Sequence, residues 1–207
     1  MGRLFVFEGG EGSGKSTQAA LLAEHLGAEI TREPGGTHFG EHVRSILLDE
    51  NLGELDPRAE LFMMVAARAQ LIAQVIRPAL ISGRNVVCDR FSGSTLAYQG
   101  YGRGLPLDEV RHVCALATGG IEPDLTILLD LPQEVARNRR LLAPDRIEAE
   151  DVAFHNRVID GYRAMALADP NNWVVIDSSG TPEGIASHIV ALIDERFGPT
   201  LNHEGKK

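Results

Sequence analysis

Short apolar runs alternate with longer stretches of helical periodicity along this chain. RLFVFE (3–8), AEIT (28–31), NVVCD (85–89), DLTILLDL (124–131) and NWVVID (172–177) read as strands. Several are apolar at consecutive positions, the pattern of strands covered on both faces in a parallel sheet. Between them the spacing predicts helices over 15–26, about 39–49, 57–82, 107–118, 132–141, about 149–168 and 181–196. Asp56 before Pro57 and Thr181 before Pro182 are N-cap signals, with proline at the first helical position. This alternation predicts an α/β fold of three layers, a five-stranded parallel sheet flanked by helices with right-handed crossovers. Ligands in such sheets sit beyond the carboxyl ends of the strands.

Composition narrows the class. At 207 residues, 43% hydrophobic and 24% charged, the chain is long enough for one good core and short for two. The expectation is a single domain over 1–198 and a polar, frayed tail over 199–207. A net charge of −9 argues against nucleic acid as the partner, since phosphate-backbone binding needs a basic face. Two cysteines, Cys88 and Cys114, are too few for a disulfide framework. Residues 1–8 reach glycine too soon for a signal peptide, and no apolar run reaches about 18 residues. The expectation is a soluble, cytoplasmic protein with no membrane partner.

The chemistry starts at residue 9. Gly9-x-x-x-x-Gly14-Lys15-Ser16 fits a phosphate-binding loop, after a strand and at a helix start. The glycines let successive N–H groups turn inward, and the following helix adds the positive end of its dipole. Lys15 supplies a point charge for the β/γ-phosphates, and Ser16 a hydroxyl for Mg²⁺. The pattern therefore predicts a bound nucleoside triphosphate. Glu11 stands out, because phosphate repels a carboxylate; the alternative for it is a solvent-facing loop position. No Asn-Lys-x-Asp base-reading motif is present, which argues against a GTP switch. A chain this short argues for a kinase of a small molecule.

Three stretches supply an acceptor site. TREPGGT (31–37) follows a strand and carries Arg32, with Arg44 one helix-length later. ELFMMVAARAQ (60–70) places Met64 and Arg68 at i and i+4 on one helix face. Arg68 there either hydrogen-bonds a base edge or stands solvated on a core-facing helix. CDRFSGSTLAYQG (88–100) puts Asp89 at a strand end, where a carboxylate organises Mg²⁺ and its waters, with Arg90 next. The alternative is a surface salt bridge between the two.

In this order and spacing, GGEGSGKST, TREPGGT with GEHVR, AARAQ, DRFSGSTLAYQG, PDLTILLDL, DRIEAED and a later GY resemble bacterial thymidylate kinases, over roughly residues 3–180. The resemblance implies a P-loop nucleoside monophosphate kinase fold with a LID over about 137–150, and transfer of the γ-phosphoryl of ATP to dTMP by a Mg²⁺-dependent homodimer. It implies that Gly9, Gly10, Glu11, Gly12, Ser13, Gly14, Lys15, Ser16 and Thr17 hold ATP, with Arg146 near the adenine. It implies that Arg68 reads the thymine edge beside Met64, and that Arg44 and Arg90 hold the acceptor phosphate. Arg32, Phe39 and Ser94 join the acceptor site by the same resemblance. Thr95, Tyr98 and Gln99 line the nucleoside pocket, with Tyr98 crowding the sugar 2′ position. Glu11 faces the acceptor and bonds around its 3′-hydroxyl, tolerated because Arg90 and the metal are close. Lys15, Arg90 and a LID arginine, Arg139 or Arg140, are the implied catalytic cations, and Ser16 and Asp89 the metal residues. The chain departs from the family's usual pattern at Met64, where phenylalanine is common, and in a shorter LID containing Pro144.

Overall fold

The computed structural model describes residues 1–132, 135–136 and 145–198. Five parallel strands form one sheet: β1 (Leu4–Glu8), β2 (Glu29–Arg32), β3 (Val86–Asp89), β4 (Leu125–Asp130) and β5 (Trp173–Asp177). Their order is β2-β3-β1-β4-β5, so β1 is central and the chain reverses its winding on either side of it. All five expected strands exist, each within one or two residues of its expected bounds.

The central strands are buried as their apolar runs require: every residue of β1 is buried, as are the first five of β4. Alternation sorts them. Phe5 and Phe7 pack on one face with Val87, Ile127 and Leu129. They meet Ala19 and Leu22 of α1 (Lys15–Leu26), and Ile189 and Ile193 of the last helix, Pro182–Phe197. Leu4 and Val6 face the other way, with Val86 and Cys88, onto Leu71, Ile76 and Leu80. β2 and β5 are the edges and are only partly covered, which explains their mixed composition.

α2 spans His38–Leu48 and α3 Pro57–Leu71. Asp56 caps α3 as expected, its carboxylate accepting from the Arg58 and Ala59 amides. The expected helix over 57–82 is one rod interrupted by a π-helical turn at Ile72–Ile76 before α4 (Arg77–Ile81). By length and composition this rod could cross a membrane. Its apolar residues instead enter the core of the domain: Leu61, Val65, Leu71, Ile72, Ile76 and Leu80 are all buried.

A helical segment absent from the sequence expectation follows β3: α5 (Ser92–Thr95) continuing as a π-helical stretch, Leu96–Gly102. Its glycines and serines hide it from propensity, and packing supplies what propensity lacks. Ala97 and Tyr98 lie in a cluster with Phe154, Val158 and Tyr162 of α7 (Val152–Ala168). A methyl on Gly102 would come within 2.7 Å of the Phe154 ring, so the segment can lie this close only with glycine there. α6 (Leu107–Thr118) and α8 (Pro182–Phe197) match their expected bounds closely. Of the helix expected over 132–141, only 135–136 are among the described residues, and they are helical. The expected tail over 199–207 lies outside them.

Candidate active site

The loop after β1 carries the site. Gly12 and Gly14 adopt positive φ, 74° and 89°, and Gly14 leads directly into α1. Lys15 is folded back over the loop, its Nζ donating to the Gly10 carbonyl at 2.7 Å and lying 3.4 Å from Ser13 Oγ. Burial pushes its pKa down to about 8, helped by the like charge of Arg90 and only partly opposed by Glu11 and Asp89. Ser16 Oγ donates to Asp89 Oδ2 at 2.5 Å, joining the helix start to the end of β3.

Arg90 is the one non-glycine residue with positive φ among the described residues (73°). Its amide bonds the Phe7 carbonyl at 2.9 Å, and this turn sends the side chain back under the phosphate loop. Backbone of this kind is uphill for a side-chain-bearing residue and survives where surrounding contacts over-determine it. The contacts are present. The guanidinium is ion-paired with Glu11. It also donates to the Gly9 carbonyl at 3.1 Å and to Ser94 Oγ and Tyr162 Oη at 3.2 Å each. Burial alone would raise the Glu11 carboxyl. Arg90, with Lys15 and the Tyr98 hydroxyl, overrides it and holds the group at about 2. Glu11 is therefore a fixed anion, 27% exposed at its side chain, and the solvent-facing alternative for it does not describe this loop.

Beneath Arg90 lies Glu8, fully buried at the end of β1. Its carboxylate accepts from the Phe91 and Ser94 amides, from Ser94 Oγ at 2.6 Å and from Tyr162 Oη at 3.1 Å. Glu8 was not among the expected site residues. It reads as the last residue of a strand, and its partners lie more than 80 positions away.

A cavity of about 330 Å³ opens between this loop and the α2–α3 side. Glu11, Gly12, Gly14, Lys15, Ser16 and Thr17 line it from the loop. Arg32, Arg44, Met64, Asp89, Arg90, Ser94 and Tyr98 line it from the acceptor stretches. Asp145, Ile147 and Glu148 close the far side, and sequence reasoning had named none of these three. Gly10 and Ser13 line a smaller adjoining cavity of about 150 Å³ against α7. Arg44 donates to the Pro34 carbonyl at 3.1 Å, and Arg32 pairs with Glu41 at 2.8 Å.

Besides Gly10 and Ser13, the expected site residues Gly9, Phe39, Arg68, Thr95, Gln99 and Arg146 do not line this cavity. Phe39 stands 47% exposed on the first turn of α2 and does not line the cavity. Arg68, Thr95 and Gln99 are buried. Arg68 grips Glu33 with Nε at 3.0 and 2.8 Å and with Nη2 at 2.5 Å, and reaches Thr95 Oγ1 at 2.8 Å. The alternative of a solvated Arg68 is thereby excluded: Glu33 holds it charged and 2% exposed. Arg146, expected near the adenine, donates to the Leu47 carbonyl at 2.8 Å and to Glu60 at 2.6 Å, on the α2–α3 side. Glu60 supplies the reason, since a buried carboxylate captures the nearest available guanidinium. Arg139 and Arg140 lie outside the described residues.

The arrangement suits two phosphate-bearing ligands meeting end to end, one on the loop and one against Arg44 and Arg90. Residues 7–189 match the family described as Thymidylate kinase. The chain belongs to the thymidylate kinase family. A thymidylate kinase from Synechococcus sp. (strain JA-2-3B'a(2-13)) is 48% identical over 197 residues, covering 93% of this chain and 94% of that one. One from Desulfovibrio desulfuricans is 49% identical over 206 residues, covering 92% and 95%. The crystal structure of thymidylate kinase from Ehrlichia chaffeensis superposes with a TM-score of 0.79 at 30% identity, covering 93% of this chain and 98% of the other. The thymidylate kinase fold is thus shared along almost the whole chain.

Proposed function

We propose that this chain transfers the γ-phosphoryl group of ATP to dTMP, giving dTDP and ADP. One observation carries the reading: the Glu11–Arg90 pair joins the phosphate loop to the acceptor stretch, so a single cavity wall serves both substrates. The acceptor's phosphate oxygen attacks the γ-phosphorus, the bond to the β,γ-bridging oxygen breaks, and ADP leaves. That oxygen is already ionised at neutral pH, so no general base is assigned. Catalysis rests on holding the reactants in line and neutralising charge on the group in flight. Lys15 serves the donor phosphates, Arg44 and Arg90 the acceptor phosphate, and Arg139 or Arg140 remains the proposed LID contribution. Met64 packs on the thymine ring through its polarizable side chain, and Tyr98, held by Glu11, crowds the 2′ position.

Asp89 and Ser16 fit a magnesium ion. Asp89 Oδ1 is buried and without a partner among the described residues, while Oδ2 already takes the Ser16 hydroxyl. Hard oxygen donors with one carboxylate oxygen unpartnered suit Mg²⁺, which keeps several waters and takes its remaining ligands from phosphate. Among the described residues no three His, Cys, Asp or Glu side chains cluster as a metal cage. When bound, the ion neutralises charge on the β- and γ-phosphates.

The resemblance also supports a homodimer in the cytoplasm. Leu61, Val65 and Leu71 are used by the protomer's own core. Phe62 of α3 and Leu116 of α6, 57% and 69% exposed, are better placed to meet a second copy. The test of the activity is ADP release with Mg²⁺-ATP against dTMP, dUMP, dCMP, AMP and UMP, with Lys15→Ala as the blank. Turnover led by dTMP is expected. ATP binding without turnover on any monophosphate would make this a nucleotide-binding protein and not a kinase.

A further inference from the structure

The two terminal nitrogens of Arg90 have different surroundings. Nη2 pairs with Glu11, which lines the larger cavity beside it. Nη1 is taken up by protein: it donates to the Gly9 carbonyl at 3.1 Å and to Ser94 Oγ and Tyr162 Oη at 3.2 Å each. A guanidinium only donates. It can rest on two hydroxyls only if each turns a lone pair toward it and sends its own proton elsewhere.

Glu8 supplies the elsewhere. Its carboxylate is fully buried. Oε1 accepts from the Phe91 and Ser94 amides at 3.0 and 2.9 Å, and Oε2 from the Ser94 and Tyr162 hydroxyls at 2.6 and 3.1 Å. Burial raises this carboxyl, while Ser94, Arg90 and the two amides oppose the rise. Four donors converging on two oxygens is the surrounding of a carboxylate, which accepts and does not donate. Ser94 has one hydroxyl proton, and Glu8 takes it. The 2.8 Å contact between Ser94 Oγ and Tyr162 Oη is then made by the tyrosine proton, shared with Glu8. Both hydroxyl protons therefore run toward Glu8, and both oxygens keep lone pairs for Arg90. Neither Glu8 nor Tyr162 lines the larger cavity, so neither touches the acceptor there. We propose that Glu8 and Tyr162 are positioning residues for the acceptor's phosphate, orienting a two-hydroxyl relay that seats Nη1 of Arg90 and leaves Nη2 facing the site. What they support is the phosphate monoester, not the base or the sugar. The positive φ of Arg90 (73°) fits, since a strained backbone persists only where its side chain is held this firmly. The proposal rests on the kinase reading above.

The experiment measures binding of dTMP and of thymidine, the same nucleoside without its phosphate. It uses the wild type, Glu8→Gln, Tyr162→Phe, Arg90→Met and Arg90→Met/Tyr162→Phe, with thermal melts and the KM for ATP alongside. A glutamine at 8 keeps its oxygen on the two amides, since only oxygen can accept from them. Its NH₂ then stands in place of Oε2 and donates to Ser94 and Tyr162, turning their protons onto Nη1, donor against donor. Glu8→Gln should weaken dTMP binding about tenfold or more, the scale of a lost hydrogen bond to a charged group. Tyr162→Phe removes one of three acceptors and should weaken it by less. Thymidine affinity and the KM for ATP should hold in both. In the Arg90→Met background Tyr162→Phe should cost nothing further, because its effect passes through that guanidinium. Unchanged dTMP affinity in Glu8→Gln, an equal loss for thymidine, or a full Tyr162→Phe loss without Arg90 overturns the proposal. If Glu8→Gln does not fold, Tyr162→Phe decides: unchanged dTMP affinity, or equal losses for both ligands, refutes it. A wild type that binds these ligands but turns over no monophosphate would instead overturn the kinase reading, a separate outcome.

Discussion

Removing Arg68 should damage this enzyme in two separable ways. In Arg68→Met the Glu33 carboxylate, 6% exposed at its side chain, loses all three of its hydrogen bonds from the guanidinium and its only counter-ion among the described contacts. Breaking a buried pair from one side costs about 3–5 kcal/mol. For a domain of this size each kcal/mol lowers Tm by about 2–4 °C, so the melt should drop by about 6–20 °C. Replacing Glu33 as well, in Arg68→Met/Glu33→Leu, removes the stranded charge and should recover more than half of that loss. pH gives an independent sign. Burial already pushes the Glu33 carboxyl up, and Arg68 opposes it; without Arg68 the folded-state pKa rises further above the unfolded value of about 4.3. The folded state then binds more protons than the unfolded one, so the single variant loses stability as pH rises through 5 to 7, relative to wild type. Thermal melts at pH 5 and 7 measure both effects, and dTMP titration of the double variant isolates the recognition role. A loss below about 1 kcal/mol, or a double variant no better than the single, would show that the Arg68–Glu33 contact does not carry the burial argument.

Two further outcomes concern the donor side. Lys15 has a pKa near 8 without ligand, and bound phosphate favours its charged form, so ATP binding should weaken from pH 7 to 9 and take up protons above pH 8. Calorimetry in two buffers of different ionisation heat reads that uptake, and its persistence in Lys15→Met would assign it elsewhere. Asp89→Asn should raise the Mg²⁺ concentration for half-maximal turnover about tenfold or more, the usual scale for lost metal-site support, with the KM for dTMP little changed; unchanged metal dependence would remove Asp89 from the metal site.

What a sequence can announce is local. The five strands, the phosphate loop, the proline-capped helices and the Asp89-Arg90 pair at the end of β3 all follow from neighbours within a few positions, and the structure has them where the pattern put them. Gly102 shows where that ends. The helix over 92–102 has poor local credentials, and only contact with Phe154 and Val158, some 50 positions on, makes glycine there an asset.

The same limit applies to charge. Glu11 looked anomalous in the chain because its partner, Arg90, is 79 positions away. Arg68 looked equally suited to solvent or to a base, and Glu33, 35 positions earlier, removed the first choice. Arg146 carries no local sign of its partner Glu60, 86 positions before it on α3. Residue order dictates which side chains exist and which backbone they ride on. Which acid meets which base is decided by folding, because a buried charge is tolerated only where the tertiary structure brings a partner to it.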